Sequence, residues 1–375
     1  MIYFDNAATT APYKEALETY MTVSEKYFFN TASIHQSGKD AARLLEAARK
    51  QMLDLMELKN YDLVFTASAT ESNNIAIQSM LRRKKQFGKT ILTSELEHPS
   101  IVNVLEEMKQ DGFNVKYIDT KQDGTVDLEH LKTLLDSDVV FVTVMALNNI
   151  VGSVQPVREI TKILKDYPKV HFHVDATQAV GKADIDYNGV DTISISAHKF
   201  NGVKGIGGLF IRDLATMKPV LYGGGHEYNV RSGTVNLPGI AAMAKALRLT
   251  LGEAREVNKR LSQFNMKIRE SVEEMEFIRL QPKAAPYIVN MSFVGAKGEV
   301  VVNALSKRGI AVSTTSACAS KLATLNETLL ALDNEDNVIE GSIRISMGRS
   351  TTADDVKQLI TALKEVYEEL GDVLK

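Results

Sequence analysis

Short apolar runs alternate with longer amphipathic stretches from about residue 40 to residue 212. The runs are apolar on both faces, as in strands of a sheet that is covered on both sides. The stretches between them have helical periodicity, for example 39–58 and 73–83. This alternation predicts an α/β domain with a mainly parallel seven-stranded sheet and right-handed crossovers. The predicted strands are Leu63–Thr66, Thr90–Thr93, Val115–Ile118, Val139–Met145, Val170–Val174, Thr192–Ser196 and Gly208–Arg212.

The pattern changes after a long helical stretch at 238–275. Shorter strands and fewer helices follow it, and a last amphipathic helix begins near Thr352, where the hydroxyl of Thr351 or of Thr352 can cap it. We therefore expect a large domain over residues 13–255 and a smaller α/β domain formed by residues 1–12 and 256–375. The strands predicted in the smaller domain are Tyr287–Phe293, Ile310–Ser313 and Ser342–Met347.

Composition narrows the class of protein. The 375 residues are 44% hydrophobic and 24% charged, with a net charge of −3 and no long block of one sign, so direct nucleic-acid binding is not expected. The amino terminus lacks the basic and apolar segments of a signal peptide, and the longest apolar run, 139–147, is too short for a bilayer. The single cysteine excludes an intramolecular disulfide and fits a reducing cytoplasm, where we expect the protein.

Two ionisable residues follow buried strands and suggest chemistry. Asp175 ends one predicted strand, and Lys199 comes soon after the next. Ligands of open α/β sheets bind beyond the carboxyl ends of strands. A pyridoxal cofactor needs a lysine that binds its aldehyde and a carboxylate that keeps its ring nitrogen protonated. Taken alone, the spacing favours a simpler interpretation, a surface lysine and an aspartate that caps a turn.

A run of small and hydroxyl residues at 65–72 lies between a strand and a helix. Free backbone N–H groups at a helix start bind anions, so this is a candidate phosphate site, although an ordinary helix cap is commoner. Ser196 and His198 are further candidate donors. The glycine-rich stretch 204–208 lets the backbone turn tightly beside Lys199.

Short motifs follow one another in a fixed order along nearly the whole chain. They are Asp5–Thr10, Asn30–His35, Ala69–Ser72, Glu97–Pro99, Asn148–Asn149, Asp175–Gly181, Ser194–Lys199, Gly223–Gly225, Arg231–Thr234, Ser316–Cys318 and Ser342–Arg344. Each motif alone is weak evidence for a family. Together and in this order they outweigh the simpler interpretations of Asp175, Lys199 and the run at 65–72. By these motifs the chain resembles the NifS/IscS-like cysteine desulfurases, fold-type I pyridoxal-phosphate enzymes of the class-V aminotransferase superfamily.

The resemblance implies roles around the cofactor ring. Lys199 would bind the pyridoxal phosphate aldehyde and then act as a proton-transfer base, and Asp175 would pair with the ring nitrogen. His98 would stack on the ring and shuttle protons, although a histidine before a proline is more often a capping or packing residue. Gln178 would hydrogen-bond the phenolic oxygen of the ring.

The other matched residues would bind the phosphate and the substrate. Asn149 would contact the cofactor and the substrate, and Arg344 would hold the substrate carboxylate through two hydrogen bonds. No metal site is expected. The phosphate would be held by Ala69, Thr70, Ser196 and His198, and by Thr234 of a neighbouring subunit, which implies a homodimer.

The implied reaction converts L-cysteine to L-alanine. Cys318 would take up the sulfur as a persulfide and pass it to an acceptor protein, for iron–sulfur cluster assembly or for thiolation of tRNA or a cofactor. Cys318 lies 26 residues before Arg344, as in relatives whose cysteine lies on a mobile loop. Another class-V enzyme, such as a selenocysteine lyase or an aminotransferase, and a non-catalytic partner protein remain as alternatives.

Several positions depart from the family pattern. Ser68 replaces a glycine and would be strained if the position required a positive φ. Ala146 and Ile150 replace a histidine and a glutamate, and Tyr228 stands where a basic residue is frequent. These departures, and those at 319–324, bear on the catalytic rate and on the identity of the sulfur acceptor. The residues matched to the cofactor and the substrate are retained.

Overall fold

The computed structural model describes residues 1–315 and 325–371. Its largest sheet has seven strands. In order across the sheet they are β2 (Asp62–Thr66), β8 (Gly207–Ile211), β7 (Thr192–Ser196), β6 (His171–Asp175), β5 (Val139–Met145), β3 (Thr90–Ser94) and β4 (Asn114–Ile118). β8 runs antiparallel to β2 and β7, while the other strand pairs of this sheet are parallel. A short connection joins β8 to β7, and a parallel pair would need a longer crossover. The predicted α/β fold with a mainly parallel sheet is confirmed.

Both faces of this sheet are buried. Successive side chains of a strand point to opposite faces. Leu92 and Val142 therefore pack in one hydrophobic cluster, while Ile91 and Phe141 pack in another. The helices of this part of the chain are α1 (Lys14–Lys26), α2 (Gln36–Leu55), α3 (Ala69–Lys84), α4 (Pro99–Gln110), α5 (Leu128–Leu134), α6 (Val157–Leu164) and the long α7 (Leu237–Val272).

Two small sheets form the remaining part. The predicted strand 310–313 is two short strands, because its halves pair with different partners. The first half pairs in parallel with β1 (Ile2–Tyr3), and the second pairs antiparallel with β13 (Ser342–Ser346). The other elements are β9 (Ile278–Leu280), β10 (Ile288–Phe293), α8 (Gly298–Lys307), β11 (Ile310–Ala311), β12 (Ser313–Thr314), α9 (Glu327–Leu330), α10 (Asp336–Glu340) and α11 (Ala353–Glu369).

Of the two threonines predicted as caps, Thr352 caps α11, through a reciprocal pair of hydrogen bonds with Asp355. The expected domain boundary at 255/256 falls inside α7 and stays a prediction. Within the described residues, no helix is long and apolar enough to cross a membrane.

A strained turn at 227–229 is held by a buried ion pair. Glu227, Tyr228 and Asn229 all have positive φ, a region that side chains other than glycine rarely adopt. Arg49 donates to both carboxylate oxygens of Glu227 at 2.9 and 3.0 Å, and Phe65 N donates to the same carboxylate at 2.6 Å. These bonds fix the turn against the end of the large sheet.

We predict that Glu227→Gln lowers the free energy of unfolding by about 3 kcal/mol, because it leaves the buried Arg49 guanidinium without its counter-ion. The midpoint of urea unfolding measures the effect. Glu46→Gln is the matched control, since it removes the solvent-exposed partner of the same guanidinium, and its effect should stay below about 1 kcal/mol. Equal effects of the two variants would contradict the assignment of Glu227 as the stabilising counter-ion of Arg49.

Candidate active site

A cavity of about 340 Å³ opens at the carboxyl ends of β5, β6 and β7. Ten of the predicted site residues line it: Ala69, Thr70, His98, Asn149, Asp175, Gln178, Ser196, His198, Lys199 and Arg344. Thr234 does not line it and is exposed elsewhere on the chain. Cys318 lies outside the described residues.

Lys199 follows β7 on a short 3₁₀ turn that brings its side chain into the cavity. Its ammonium donates to the carbonyl oxygens of Ala7 at 2.6 Å and Ala8 at 2.8 Å. Burial lowers the Lys199 pKa to about 8, and the positive charge of Arg344 adds to the effect. An appreciable fraction of this amine is therefore neutral near physiological pH.

Asp175 ends β6, and its buried carboxylate is held from two sides. One oxygen accepts from Thr177 N and the other from the Asn73 amide nitrogen, both at 2.9 Å. The hydroxyl oxygen of Thr177 is itself buried without a hydrogen-bond partner in the structure, and Thr177 lines the cavity. The sequence motifs indicated Asp175, but they did not single out Thr177 or Asn73.

His98 caps the amino end of α4, in keeping with the alternative that its position before Pro99 favoured. Its Nδ1 accepts from Ser100 N at 3.1 Å and lies 2.9 Å from Ser100 Oγ. The ring also lines the cavity, so the same residue caps α4 and belongs to the candidate site. Desolvation lowers the pKa of His98, the charge of Asp175 opposes this and the charge of Lys199 adds to it, so the net shift is downward and favours the neutral ring.

The turn between β2 and α3 is a candidate anion-binding site. Ser68 caps α3 in an extended conformation, with φ −170°, so the strain expected for a positive φ is absent there. Ala69 and Thr70, in the first turn of α3, line the cavity, and the N–H groups of a first helical turn are available to bind an anion. A side chain at Gly207 would meet the Ser68 backbone at 2.7 Å, so glycine is needed where β8 passes this turn.

Ser196 and His198 also line the cavity, and Ser196 is close to this turn because it pairs with Gly207, which packs against Ser68. His198 Nδ1 pairs with the Thr9 hydroxyl at 3.1 Å. Burial lowers the pKa of His198 to about 4, and the nearby lysines add to the effect. His198 is thus a neutral hydrogen-bonding group at physiological pH.

Arg344 lies on β13, at the side of the cavity that the smaller sheets form. Its Nη1 donates to Asn149 O and its Nη2 to the Asp5 carboxylate, each at 2.9 Å. Its Nε is buried without a partner in the structure. Arg344 is therefore oriented by the protein, while its Nε–H and the second hydrogen of each terminal nitrogen remain for a ligand. The sequence motifs did not single out Asp5 as its counter-ion.

Gln178 is oriented by a second lysine. Its side-chain oxygen accepts from Tyr287 OH at 3.0 Å and from Lys182 Nζ at 3.2 Å, while its amide nitrogen donates to Ala7 O at 2.8 Å. Because the Ala7 carbonyl can only accept, these contacts fix which end of the amide is nitrogen. The amide nitrogen has a second hydrogen left for a ligand.

These residues fit pyridoxal phosphate by the chemistry of their donors and acceptors. The cavity holds a partly neutral lysine, a buried carboxylate and an amide donor, beside a helix start suited to phosphate. The unpartnered buried atoms of Thr177 and Arg344 are further groups that a ligand would satisfy. Within the described residues, no cluster of histidine, cysteine and carboxylate side chains could hold a metal.

Comparison with known proteins agrees with this geometry. The family model "Aminotransferase class-V" matches residues 2–359. A NifS/IcsS protein homolog of Lactobacillus delbrueckii is 41% identical, covering 100% of this chain and 99% of that protein. Cysteine desulfurase IscS of Dictyoglomus turgidum is 34% identical over 99% of this chain and 96% of its own length.

A solved structure of a NifS-like protein superposes with a TM-score of 0.91 at 32% identity, covering 99% of each chain. Sequence and fold thus match proteins of one kind over almost their full lengths. The chain therefore belongs to the class-V aminotransferase family of pyridoxal-phosphate-dependent enzymes, among its NifS/IscS-type cysteine desulfurases.

Proposed function

We propose that this cysteine desulfurase acts on L-cysteine in the cavity between Lys199, Asp175 and Arg344, and that Cys318 takes up the sulfur. The observation that carries the proposal is the pairing of a partly neutral lysine with an arginine that keeps one buried donor unused. The first suits proton transfer and the second suits a carboxylate. An amino acid carries both the amine and the carboxylate that such a site would act on.

Arg344 is proposed to bind the substrate carboxylate. Asp5 and Asn149 each accept from one of its terminal nitrogens, so the guanidinium is held in one orientation before substrate arrives. Its Nε, buried and without a partner, would then be satisfied by a carboxylate oxygen. Asn149 lines the same cavity and is proposed to contact both substrate and cofactor.

Lys199 is proposed to be the base that moves the substrate's Cα proton. When bound, pyridoxal phosphate supplies an aldehyde that joins the substrate amine and a ring that accepts electron density from Cα. Asp175, buried and fixed by Asn73 and Thr177, would hold the proton of the ring nitrogen. Ala69, Thr70, Ser196 and His198 would hold the phosphate, and Gln178 would donate to the phenolic oxygen.

Cys318 is proposed to be the nucleophile, because the chain has no other cysteine. Its thiolate would attack the substrate sulfur, so that an S–S bond forms and the Cβ–S bond breaks. The carbon product would take up a proton to become alanine, and the persulfide would remain on Cys318. Chain connectivity supports this role, since Cys318 follows β12 by four residues and Ser313 of β12 pairs with Arg344.

The proposal extends to an acceptor protein, a homodimer and a cytoplasmic location. An acceptor is required because a persulfide must be discharged before the next turnover. A second copy would bring its Thr234 to the phosphate, since Thr234 lies outside the cavity of its own chain. Exposed aromatic and aliphatic side chains at Phe28, Ile34 and Tyr222 are consistent with a surface that another copy covers.

We expect Cys318→Ala to retain the yellow chromophore of bound pyridoxal phosphate and to stop the release of alanine from L-cysteine, because no thiolate then attacks the sulfur. Alanine assays and absorbance spectra measure the two properties. Ser320→Ala, a substitution of similar size in the same segment, should leave turnover unchanged. If Cys318→Ala still forms alanine at the wild-type rate, another class-V activity becomes the better assignment.

We expect the uptake of pyridoxal phosphate by the cofactor-free chain to depend on pH with a midpoint near the Lys199 pKa of about 8. The neutral amine is the reactive form, so the uptake rate should fall about tenfold for each pH unit below that midpoint. Stopped-flow absorbance measures the rate.

Arg344→Gln should move this midpoint to higher pH, because the Arg344 charge lowers the Lys199 pKa. Lys204→Gln removes the same charge from an exposed position and should leave the midpoint unchanged. An identical shift in both variants would mean that overall charge, and not Arg344, sets the reactivity of Lys199.

Hybrid dimers test whether Thr234 acts across the interface. Thr234→Val should weaken pyridoxal phosphate binding about ten- to hundredfold, the usual effect of losing one hydrogen bond to a charged group. A hybrid of a Thr234→Val chain with a Lys199→Ala chain should keep one fully competent site, because its lysine and the threonine of its neighbour are both intact. Loss of tight binding in the hybrid would place Thr234 in the site of its own chain.

A further inference from the structure

A buried network of hydrogen bonds lies beside the cavity, and Asn73 is at its centre. Asn73 is fully buried, in the second turn of α3. Its amide nitrogen contacts Asp175 and Ser100, each at 2.9 Å, and its amide oxygen contacts His173 Nε2 at 3.1 Å and the Ser194 hydroxyl. Ser100 in turn contacts His98 Nδ1 at 2.9 Å. Asn73 thus links the carboxylate to the cavity histidine.

The carboxylate fixes the direction of these bonds. An ionised carboxylate only accepts, so the group of Asn73 that faces Asp175 is the NH₂. The second hydrogen of that NH₂ goes to Ser100 Oγ, which therefore accepts from Asn73. The Ser100 hydroxyl hydrogen is then available for His98 Nδ1.

The hydrogen bonds on the other side of Asn73 agree with this direction. The oxygen of Asn73 accepts, so His173 carries its hydrogen on Nε2 and accepts at Nδ1 from the Thr192 hydroxyl at 2.9 Å. Thr192 in turn accepts from His171 Nε2 at 2.9 Å. Burial lowers the pKa of both histidines, that of His173 to about 4, so each has the single ring hydrogen that this pattern requires.

Two donors therefore converge on His98 Nδ1, the Ser100 hydroxyl and the Ser100 backbone N–H. A nitrogen that accepts from both carries no hydrogen itself. The hydrogen of the neutral ring lies on Nε2, and no hydrogen bond to Nε2 is formed within the described residues. The charged groups near His98 are Asp175 and Lys199.

We propose that His98 serves the reaction as a neutral imidazole with its hydrogen on Nε2, donating a hydrogen bond into the cavity, and that Asn73 and Ser100 are positioning residues that hold it in this form. This inference rests on the proposed function. A ring with hydrogen on Nε2 and two donors on Nδ1 offers no free lone pair to a substrate proton. Proton abstraction is then left to Lys199, and His98 orients or stabilises what lies in the cavity.

Nitrogen NMR of the full chain labelled with ¹⁵N-histidine tests the tautomer, with and without pyridoxal phosphate. His98→Gln identifies the His98 signals. At neutral pH, His98 should show an unprotonated Nδ1 and a protonated Nε2. The opposite pattern, or rapid exchange between both forms, overturns the proposal, whether or not the protein turns over cysteine. A protein with this tautomer but without desulfurase activity would refute the proposed function alone.

Variants at the two serines that bond to Asn73 test the positioning role. Ser100→Ala removes a donor to the neutral ring, so the pH at which His98 becomes doubly protonated should rise by about 0.5 to 1 unit. Asn73→Ala should also raise it, because the Ser100 hydroxyl is then free to turn away and accept. Ser194→Ala deletes an equivalent buried hydroxyl on the other side of Asn73 and should leave this pH unchanged.

Three outcomes of the titration are decisive. An unchanged His98 titration in Ser100→Ala contradicts the role of Ser100, and an unchanged titration in Asn73→Ala contradicts that of Asn73. An equal rise in Ser194→Ala would mean that any loss of packing around Asn73 has the same effect, which also overturns the proposal. Ser100→Thr keeps the hydroxyl and should restore the wild-type titration if the bond, and not the volume, matters.

Discussion

A buried carboxylate that can only accept hydrogen bonds sets the polarity of this site. Asp175 ends β6 with one oxygen on Thr177 N and the other on Asn73. The orientation of the Asn73 amide follows from that contact, and the direction of the bonds through Ser100 to His98 follows in turn. The same carboxylate is the group that suits a protonated ring nitrogen. The hydrogen-bond directions in the cavity and in the buried residues beside it therefore follow from the Asp175 carboxylate.

The amino-terminal segment connects the two parts of the site. The carbonyl of Ala7 accepts from Lys199 and from Gln178, both of which belong to the large-sheet part. Two residues earlier, the Asp5 carboxylate holds Arg344, which lies on a strand of a smaller sheet. Because one short segment orients both the amine and the guanidinium, their relative position depends on how residues 5–8 are held.

Sequence reasoning was most successful where the pattern is local. β5 and β7 were predicted at their observed bounds, since β5 is an almost continuous apolar run and β7 alternates isoleucine with hydroxyl residues. The strand predicted at 310–313 is two strands, since its pairing partners come from distant parts of the chain. The same limit applies to the site. Asp175 and Lys199 lie in motifs, whereas Asn73 is 102 positions from Asp175 and becomes relevant only when α3 packs beside β6.

Positive charge in and beside the cavity explains which ligands it favours. Lys199 and Arg344 line the cavity, and Lys182 lies behind Gln178. Burial lowers the pKa of Lys182 to about 7, and the charges of Lys199 and Arg344 contribute to that shift. Cations that repel one another in a poorly solvated space are stabilised by an anion. In the proposed function a phosphate at the helix start, a carboxylate at Arg344 and an approaching thiolate would each supply one, so the same field would favour cofactor, substrate and nucleophile.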